Sequence, residues 1–206
     1  MTPVFCTRRR FLSVASSVAS SAVAVPSATG SAPSDERPDG QWWTGPWPTG
    51  LRAAAVRAMP AAVAYARSGR WPFGAVLVAA DSGEVVAGAA NTVQDEDPTA
   101  HAEMNVLRSA TARGLSMARH VVVSTAEPCP MCAGALLWAG VRAVVFGTSS
   151  ARIAALGVPQ IALPFETVAR HSTLGPHPAV GGGVRTDLTD PLYRAMARRR
   201  RRGRAG

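Results

Sequence analysis

The chain has 206 residues, of which 47% are hydrophobic and 17% charged. This length is enough for one domain with a substantial core, and the composition excludes a wholly disordered or collagen-like chain. Its 3 cysteines exclude a small domain held together by several disulfides. No apolar run in the sequence is long enough to cross a bilayer.

The net charge of +9 is concentrated at the two ends of the chain. Every basic residue is an arginine; three lie at positions 8–10 and six lie in the last nine residues. The arginines between these two groups equal the acidic residues in number, so the body of the chain is formally neutral. A neutral body argues against a broad nucleic-acid surface, and short basic ends are usually solvated and disordered.

The first 24 residues have the pattern of an export signal. A basic start precedes a short stretch rich in Ala, Ser and Val, which ends at the small-x-small cleavage pattern Ala22-Val23-Ala24. The order Thr7-Arg8-Arg9-Arg10-Phe11-Leu12 resembles a bacterial twin-arginine signal, which implies a periplasmic or extracellular protein. The alternative is a basic amphipathic start that stays attached. Residues 25–40 are rich in Ser, Pro and Gly and are predicted to form a flexible linker.

The predicted elements of the body alternate between helices and strands. Helices are predicted at 51–68, 100–113, 131–139, 151–156 and 191–196, and strands at 73–80, 84–90, 120–124 and 141–146. This alternation predicts an α/β domain with helices on the faces of the sheet. We expect Trp42, Trp43 and Trp47 to pin the entry segment, in which they lie, against the domain, rather than to form an aromatic binding patch. Gly181-Gly182-Gly183 is predicted to lie in a loop, and residues 157–187 otherwise carry little signal.

Two predicted loop-to-helix junctions carry the residues of a metal site. One contains His101, and the other contains Cys129 and Cys132. Thiolates and an imidazole suit zinc in tetrahedral geometry, and two cysteines three positions apart at a helix start can face one point. The helix N-terminus and the ion both favour thiolate over thiol. Three protein ligands leave a fourth position for water, which is typical of a catalytic rather than a structural zinc site.

Glu103 lies two residues after His101, so we expect it close to the ion without being a ligand. Zinc lowers the pKa of water from about 16 towards about 7. A carboxylate beside that water is suited to take a proton from it and pass the proton to a substrate. The pattern therefore predicts Glu103 as the catalytic acid and base.

The order His-x-Glu followed by Pro-Cys-x-x-Cys resembles the signature of zinc nucleobase deaminases. It is intact here as His101-Ala102-Glu103 and Pro128-Cys129-Pro130-Met131-Cys132. The segment Pro72–Val78 looks like the first strand of that family. The segment Asp97–Glu103 is similar to guanine deaminases and tRNA adenosine deaminases of the cytidine/deoxycytidylate deaminase superfamily. The resemblance covers about residues 51–149. It implies a three-layer α-β-α fold with a mixed central sheet, a Zn²⁺ cofactor and a homodimer.

On this resemblance, residues 41–197 are expected to form the zinc deaminase domain, followed by an Arg-rich tail at 198–206. The implied reaction is hydrolytic deamination of a free nucleobase or nucleoside, of the guanine or the cytosine/cytidine type, with release of ammonia. Nucleic acid is not the expected partner, because the body is neutral and the chain has an export signal.

The resemblance also implies substrate contacts. Asn91 and the backbone N–H of Ala102 are expected to bind the substrate, and Phe73 and Trp138 to line the base pocket. Each side chain has a structural alternative: Asn91 as a turn residue, and the two aromatic residues as core. The closing tail of the guanine deaminases, with its acidic and tyrosine residues, is not found here, so the choice of substrate stays open.

Four other interpretations stay open at this point. Cys129-Pro130-Met131-Cys132 could be a redox disulfide. A closed structural zinc site would need a fourth ligand, for which His120, His171 or His177 could be nominated. The chain could deaminate nucleic acid with its Arg-rich tail as a tether, or it could be a zinc-binding scaffold without catalysis. Glu127 is expected to shape the loop before Cys129.

Overall fold

The computed structural model describes residues 40–93, 97–161 and 163–203 of the chain. The predicted signal at 1–24 and all of the predicted linker except Gly40 lie outside these residues. Within the described part of the chain, no helix combines the length and the apolar character that a bilayer crossing needs.

The described residues form six strands and six α-helices. The strands are β1 (Trp42–Thr44), β2 (Trp71–Ala79), β3 (Val85–Asn91), β4 (His120–Ala126), β5 (Ala143–Thr148) and β6 (Ala179–Gly182). The helices are α1 (Leu51–Ser68), α2 (Ala102–Ala112), α3 (Pro130–Trp138), α4 (Ser150–Ala155), α5 (Phe165–Arg170) and α6 (Thr186–Arg202).

The strands form one mixed sheet in the order β1-β6-β5-β4-β2-β3. Strands β4, β5 and β6 are parallel, whereas β2 is antiparallel to β3 and β4, and β1 is antiparallel to β6. The central strand β4 is buried along its whole length, with Val121 and Val123 in the core on one face and Val122 in the core on the other. Burial on both faces explains why β4 has a continuous run of valines rather than an alternating pattern.

Helices cover both faces of this sheet. On one face lie α1 and α6, which contribute the fully buried Met59 and Tyr193 to the core. On the other face lie α2, α3 and α5, which contribute residues such as Val106, Leu136 and Phe165. This arrangement confirms the expected three-layer α-β-α architecture with a mixed central sheet.

The N-terminal part of the described chain is held on the sheet by its tryptophans. β1 pairs with β6, and Trp43 and Trp47 pack edge-to-face at 4.8 Å between ring centroids and contact the core under α1. Trp42 packs against Phe146 on the opposite face. The prediction that these residues pin the segment to the domain is confirmed.

The prediction of a loop at Gly181-Gly182-Gly183 is wrong, because Gly181 and Gly182 lie in the buried strand β6. A Cβ at Gly181 would collide with the Trp43 ring, and one at Gly182 would collide with the Trp42 ring. These glycines therefore give room to aromatic rings on the neighbouring strand. Only Gly183, at φ 67°, has the backbone conformation of a turn glycine.

Helix α6 is much longer than the predicted helix at 191–196. It begins at Thr186 and runs to Arg202, so Arg198–Arg202 are helical, whereas residues 204–206 of the predicted tail lie outside the described residues. The helix buries Leu192, Tyr193, Met196 and Ala197 along one face. Arginine is a good helix former, and positive charge at a helix C-terminus is stabilised by the helix dipole, which explains why the helix continues into the basic run.

Candidate active site

The three expected metal ligands lie at the starts of two helices. His101 is the N-cap residue of α2 and Cys129 is the N-cap residue of α3, with Pro130 at the first helical position. Cys132 lies one turn into α3 and is almost completely buried. Because α3 begins just beyond the end of β4, the sheet fixes where the two sulfur atoms lie.

The donor atoms have the spacing that zinc requires. His101 Nδ1 lies 3.6 Å from Cys129 Sγ and 3.6 Å from Cys132 Sγ, and all three donors lie within 4.8 Å of one another. Zinc bonds to sulfur of about 2.3 Å and to nitrogen of about 2.0 Å at tetrahedral angles give N···S separations of about 3.5 Å. The donor set and its geometry therefore fit Zn²⁺, which is the cofactor of this site.

Hydrogen bonding between the two cysteines separates their pKa values. The Cys132 thiol donates to Cys129, which, with help from His101, lowers the pKa of Cys129 to about 4. The same hydrogen bond, together with burial, raises the pKa of Cys132. The hydrogen bond to Cys129 also raises the pKa of His101. One sulfur is thus a ready thiolate, and the other must release its proton when an ion binds.

Glu103 lies beside the ligands, on the first turn of α2. Its side chain is almost entirely buried, and its Oε2 lies 3.8 Å from Cys132 Sγ. Burial raises the pKa of Glu103, while a hydrogen bond of 2.8 Å from Ser124 Oγ to Oε1 opposes that rise. Such an environment suits a group that alternates between acid and carboxylate near neutral pH.

These groups open onto a cavity of about 490 Å³. Two of the predicted substrate-contact residues, Phe73 and Asn91, line it. The Phe73 ring lies 5.2 Å from the ring of Tyr193, and Asn91 Oδ1 accepts a hydrogen bond from the Val93 N–H. The remaining cavity walls are formed by Trp71, Val93, His101, Glu103, Ala126, Glu127, Cys129, Val158, Pro159, Gln160, Ile161, Met196 and Arg200.

Trp138 does not line this cavity. The expectation that it lines the base pocket is therefore wrong for the cavity formed by a single chain. It is the last residue of α3, about 13 Å along the helix axis from Cys129 at a rise of about 1.5 Å per residue. Its side chain is 79% exposed and borders a separate surface groove with Leu137 and Leu163.

Ala102 is the first residue of α2, with its side chain fully buried in the core. Its N–H is among those that a helix leaves without an intrahelical partner, and its substrate contact stays a prediction.

Glu127 shapes the loop, as expected. One carboxylate oxygen accepts from the backbone N–H and the hydroxyl of Ser150, and the other accepts from the N–H of Phe165 at 3.0 Å. One buried carboxylate thereby holds the first turns of α4 and α5 against the loop that carries Cys129. The predicted role of Glu127 is confirmed.

The histidines nominated as a fourth ligand lie elsewhere. His120, His171 and His177 each bond to a nearby backbone carbonyl, those of Ser116, Thr167 and Ser172 respectively. Among the described residues, the metal cluster contains His101 and the two cysteines alone. A closed four-ligand structural site is therefore not formed by these side chains.

The sequence analysis missed Ser124, which holds Glu103, and most of the cavity walls, among them Met196 and Arg200. Ser124 had a visible signal, since it is the polar residue that directly follows three valines within a buried strand. Met196 and Arg200 lie four positions apart, a spacing that places them on one helix face, but the helix itself was predicted too short to show it.

On a three-layer α-β-α fold, one imidazole and two thiols thus meet at two helix N-termini beside a buried carboxylate, and this is the donor set of a zinc-binding domain. Residues 51–148 match the family described as the cytidine and deoxycytidylate deaminase zinc-binding region. This part of the chain is therefore similar to that family.

Curated relatives share this part of the chain. A tRNA(Ile)-lysidine synthase of Deinococcus radiodurans is 38% identical over 150 residues, which cover 71% of this chain and 24% of that protein. The guanine deaminase of Bacillus subtilis is 36% identical over 88 residues, covering 42% of this chain and 56% of that protein. A probable cytosine deaminase of Schizosaccharomyces pombe is 35% identical over 82 residues, covering 40% and 50% respectively. The chain thus spans about half, or less, of the length of these relatives.

Solved structures show the same fold. A protein from a study of A-to-I editing of transfer RNA at the wobble position is 29% identical with a TM-score of 0.55, covering 66% of this chain and 98% of that one. A protein solved in complex with 2,6-diaminopurine is 26% identical with a TM-score of 0.59, covering 70% and 82%.

Proposed function

We propose that the chain is a hydrolytic zinc-dependent deaminase that removes an amino group from a free nucleobase or nucleoside and releases ammonia. The observation that carries this proposal is the meeting of His101, Cys129 and Cys132 with the buried carboxylate of Glu103 at one end of a cavity. When bound, the ion supplies Lewis acidity, which makes water a nucleophile near neutral pH.

The side chains of this chain would manage the protons. Glu103 takes a proton from the attacking water and delivers it to a ring nitrogen of the heterocycle; it then takes the remaining proton of the added hydroxyl group and passes it to the amino group, which leaves as ammonia. The Ser124 hydroxyl holds Oε1 of Glu103 in place, so the other oxygen, Oε2, is the one that moves the proton. The apolar walls at Trp71 and Phe73 accept a flat ring and exclude water from it.

The test is ammonia release from adenine, guanine and cytosine, and from their nucleosides, with zinc measured on the same sample. We expect the unmodified protein to deaminate at least one series, and Glu103→Gln to lose activity by about 10²-fold or more with zinc retained. Glu84→Gln, which changes an exposed carboxylate on the turn before β3, is the matched control and should be fully active. Equal ammonia release by Glu103→Gln and the unmodified protein would show that Glu103 is not the proton carrier.

A deaminase of nucleic acid is the second candidate. The observations that favour it are the four exposed arginines at positions 198, 199, 201 and 202 of α6 and the likeness to the structure from the transfer RNA editing study. Replacing these four arginines by Gln should leave turnover of bases and nucleosides unchanged under the first proposal. The second candidate would be favoured if an RNA stem-loop were deaminated faster than any base or nucleoside. The rate on the RNA should then fall in this variant and on addition of salt.

We further propose that the chain is exported through its twin-arginine-type start. The support is the sequence Thr7–Leu12 and the short apolar stretch behind it. Replacing Arg8 and Arg9 by Lys should retain the protein inside the producing bacterium, as measured by fractionation. Release of the Arg8→Lys, Arg9→Lys variant at the normal level would contradict this proposal.

A homodimer is also proposed, on the resemblance to the family. The exposed Trp138, which borders a groove with Leu163, is an apolar surface that a second copy would cover. Sedimentation of the zinc-loaded protein should give twice the mass of one chain. The Trp138→Arg variant should sediment with the mass of one chain. A monomer at high micromolar concentration would contradict this expectation.

A further inference from the structure

Strand β2 is irregular where it borders the cavity. Its pairing with β3 skips two residues, Pro72 and Phe73, which lie between Trp71 and Gly74. The pairing of β2 with β4 begins only at Ala75. Bulges redirect side chains next to active sites, and this bulge carries Phe73, which lines the cavity. The backbone pairing of the sheet therefore does not by itself fix the Phe73 ring.

A side chain of β4 holds the end of this bulge. The Gly74 N–H donates to Thr125 Oγ1 at 3.1 Å. Thr125 is fully buried and directly follows Ser124, which donates to Glu103. From α6, the Tyr193 hydroxyl donates to the same Thr125 oxygen at 2.8 Å. One threonine oxygen thus joins the bulge, the strand beside Glu103 and the C-terminal helix.

Tyr193 contacts the bulge a second time through its ring. This ring lies 5.2 Å from the Phe73 ring, at an angle of 46° between the two planes. Tyr193 is fully buried and is not among the residues that line the cavity, whereas Phe73 is half-buried in the cavity wall. Burial raises the pKa of the Tyr193 hydroxyl, so this group stays protonated and can donate throughout the neutral range. The hydroxyl and the ring therefore support Phe73 from behind.

The helix that carries Tyr193 is itself fixed to the sheet. One turn before Tyr193, the hydroxyls of Thr189 and Thr148 are 2.8 Å apart, and both residues are buried. Helix α6 lies outside residues 51–148, which are similar to the deaminase zinc-binding family. The Phe73 wall of the cavity therefore depends on a part of this chain that the family match does not cover.

We propose that Tyr193 is a positioning residue for the substrate, which sets the Phe73 ring so that this ring receives the flat heterocycle. This inference rests on the proposed deaminase function and deepens it, because it assigns part of the substrate affinity to α6. Tyr193 does not touch the reacting atoms, and Glu103 keeps the proton transfers. A ring that is already held in place binds a flat ligand without the cost of being ordered, so losing its support weakens binding.

The first test is the turnover, by Tyr193→Phe, of the base or nucleoside that the unmodified protein deaminates best. This variant keeps the ring and removes the hydroxyl. We expect KM to rise about 3–10-fold with kcat and zinc content unchanged, because the support acts on substrate binding alone. Tyr65→Phe is the matched control, since Tyr65 is the other tyrosine of the chain and is 38% exposed on α1. It should change neither constant.

Two further comparisons show whether the effect passes through the bulge. In a Phe73→Ala background, Tyr193→Phe should raise KM no further, because the ring that it positions is absent. Thr125→Val removes the shared acceptor and should raise KM as Tyr193→Phe does. Thr125→Ser keeps a hydroxyl and should bring KM back towards that of the unmodified protein. This pair carries the test if Tyr193→Phe does not fold.

Binding separates this inference from the proposed function. Zinc-loaded Glu103→Gln is titrated calorimetrically with adenine, guanine, cytosine and their nucleosides, with and without Tyr193→Phe. We expect at least one of these compounds to bind about 3–10-fold more weakly when Tyr193→Phe is added. If the unmodified protein releases no ammonia from any of them, the same loss of affinity would contradict the proposed function and still support the positioning role.

Five results would overturn the proposal. The first two are no binding of any of these compounds, and a lower melting temperature of Tyr193→Phe with KM and affinity unchanged, which would assign Tyr193 to packing alone. The third is a fall of kcat with KM unchanged. The last two are an equal rise of KM in Tyr65→Phe, and a further rise of KM when Tyr193→Phe is added to Phe73→Ala.

Discussion

Ser124 is the residue that fixes how Glu103 can act. Its hydroxyl is almost fully buried and donates to one carboxylate oxygen, leaving the other towards the ligands. A buried carboxylate without this contact would be free to rotate and would hold its proton more strongly, because burial already raises the pKa of Glu103.

We therefore predict that Ser124→Ala lowers kcat by about 10-fold or more, since a hydrogen bond to a charged group contributes about 1.5–3 kcal/mol. The hydrogen bond lowers the pKa of Glu103, so its loss should move the acid limb of the pH–rate profile to higher pH. Zinc content should be unchanged, because Ser124 is not among the ligands.

Ser124→Thr is the control for this prediction, because it keeps the hydroxyl. Recovery of kcat and of the pH profile in this variant would confirm that the hydroxyl acts through Glu103. An unchanged pH profile in Ser124→Ala, with only thermal stability reduced, would assign Ser124 to packing alone.

The sequence predicted the reactive groups better than it predicted the cavity around them. His101, Glu103 and the two cysteines fall in two short motifs, and each lies where a helix begins, which is readable from local patterns. Phe73 was found through the resemblance to a family. Arg200 was missed because its position depends on how α6 packs across the sheet, which no local pattern contains.

At the scale of the elements, Asn105 on α2 holds the loop before His101. Its Nδ2 group donates to the carbonyls of Ala90 and Ala100 and to Thr92 Oγ1 at 2.9–3.3 Å. The amide thus ties the end of β3 to the turn that carries a zinc ligand, so it sets where His101 sits although it does not touch the ion.

We predict that Asn105→Ala destabilises the protein by about 1–3 kcal/mol, because three acceptors lose their donor. It should also weaken zinc binding, as measured by competition with a chromogenic chelator. Thr111→Ala, at an exposed position of the same helix, should change neither quantity. Equal zinc affinity in Asn105→Ala and the unmodified protein would show that the loop held by Asn105 does not affect metal binding.

The contact between β5 and α6 depends on the absence of a side chain at Gly147. A Cβ there would lie 2.5 Å from both Oγ1 and Cγ2 of Thr189 and 2.9 Å from the carbonyl oxygen of Thr125. Any larger residue must push α6 away from the sheet, and with it the wall formed by Met196 and Arg200.

We expect Gly147→Ala to destabilise the fold by about 1–3 kcal/mol, the usual cost of overpacking a core. Gly134→Ala is the matched control, because a Cβ at that helical position meets no atom within 4 Å. It should be neutral or stabilising by about 0.5–1 kcal/mol in thermal unfolding. A loss of stability in Gly134→Ala equal to that in Gly147→Ala would contradict the packing argument.

The elements that sequence patterns missed are those defined by distant partners. Helix α5 begins where Phe165 donates to Glu127, a contact across 38 positions of the chain. Strand β6 was hidden because glycines favour turns locally, whereas here they make room for Trp42 and Trp43. By contrast, α1 has the predicted bounds, since its apolar periodicity and Gly69 are both local signals.

At the scale of the whole molecule, the zinc ligands join the starts of α2 and α3, which are far apart in the sequence and lie on the same face of the sheet. Removing the ion should therefore reduce activity and stability together, because binding energy at a site formed only on folding is folding energy. We predict that the chelator-treated protein, verified to be free of metal, loses ammonia release and melts at a lower temperature.

Adding zinc back should restore both properties, whereas magnesium should restore neither, because thiolate ligands select soft ions. A thiol assay on the metal-free protein under oxygen should show loss of the Cys129 and Cys132 thiols, which lie close enough to react with each other. Full activity in verified metal-free protein would contradict a catalytic role for the ion.

The pairing of β1 with β6 has a consequence for synthesis. A ribosome produces β1 long before β6, so Trp42 and Trp43 have no strand to pair with while most of the polypeptide is being translated. The edge of the sheet can be completed only when Gly181 and Gly182 have left the exit tunnel. Nascent chains stopped short of these glycines should therefore expose both indoles to chaperones. Iodide should quench the fluorescence of Trp42 and Trp43 in such chains and should no longer do so once β6 has paired with β1.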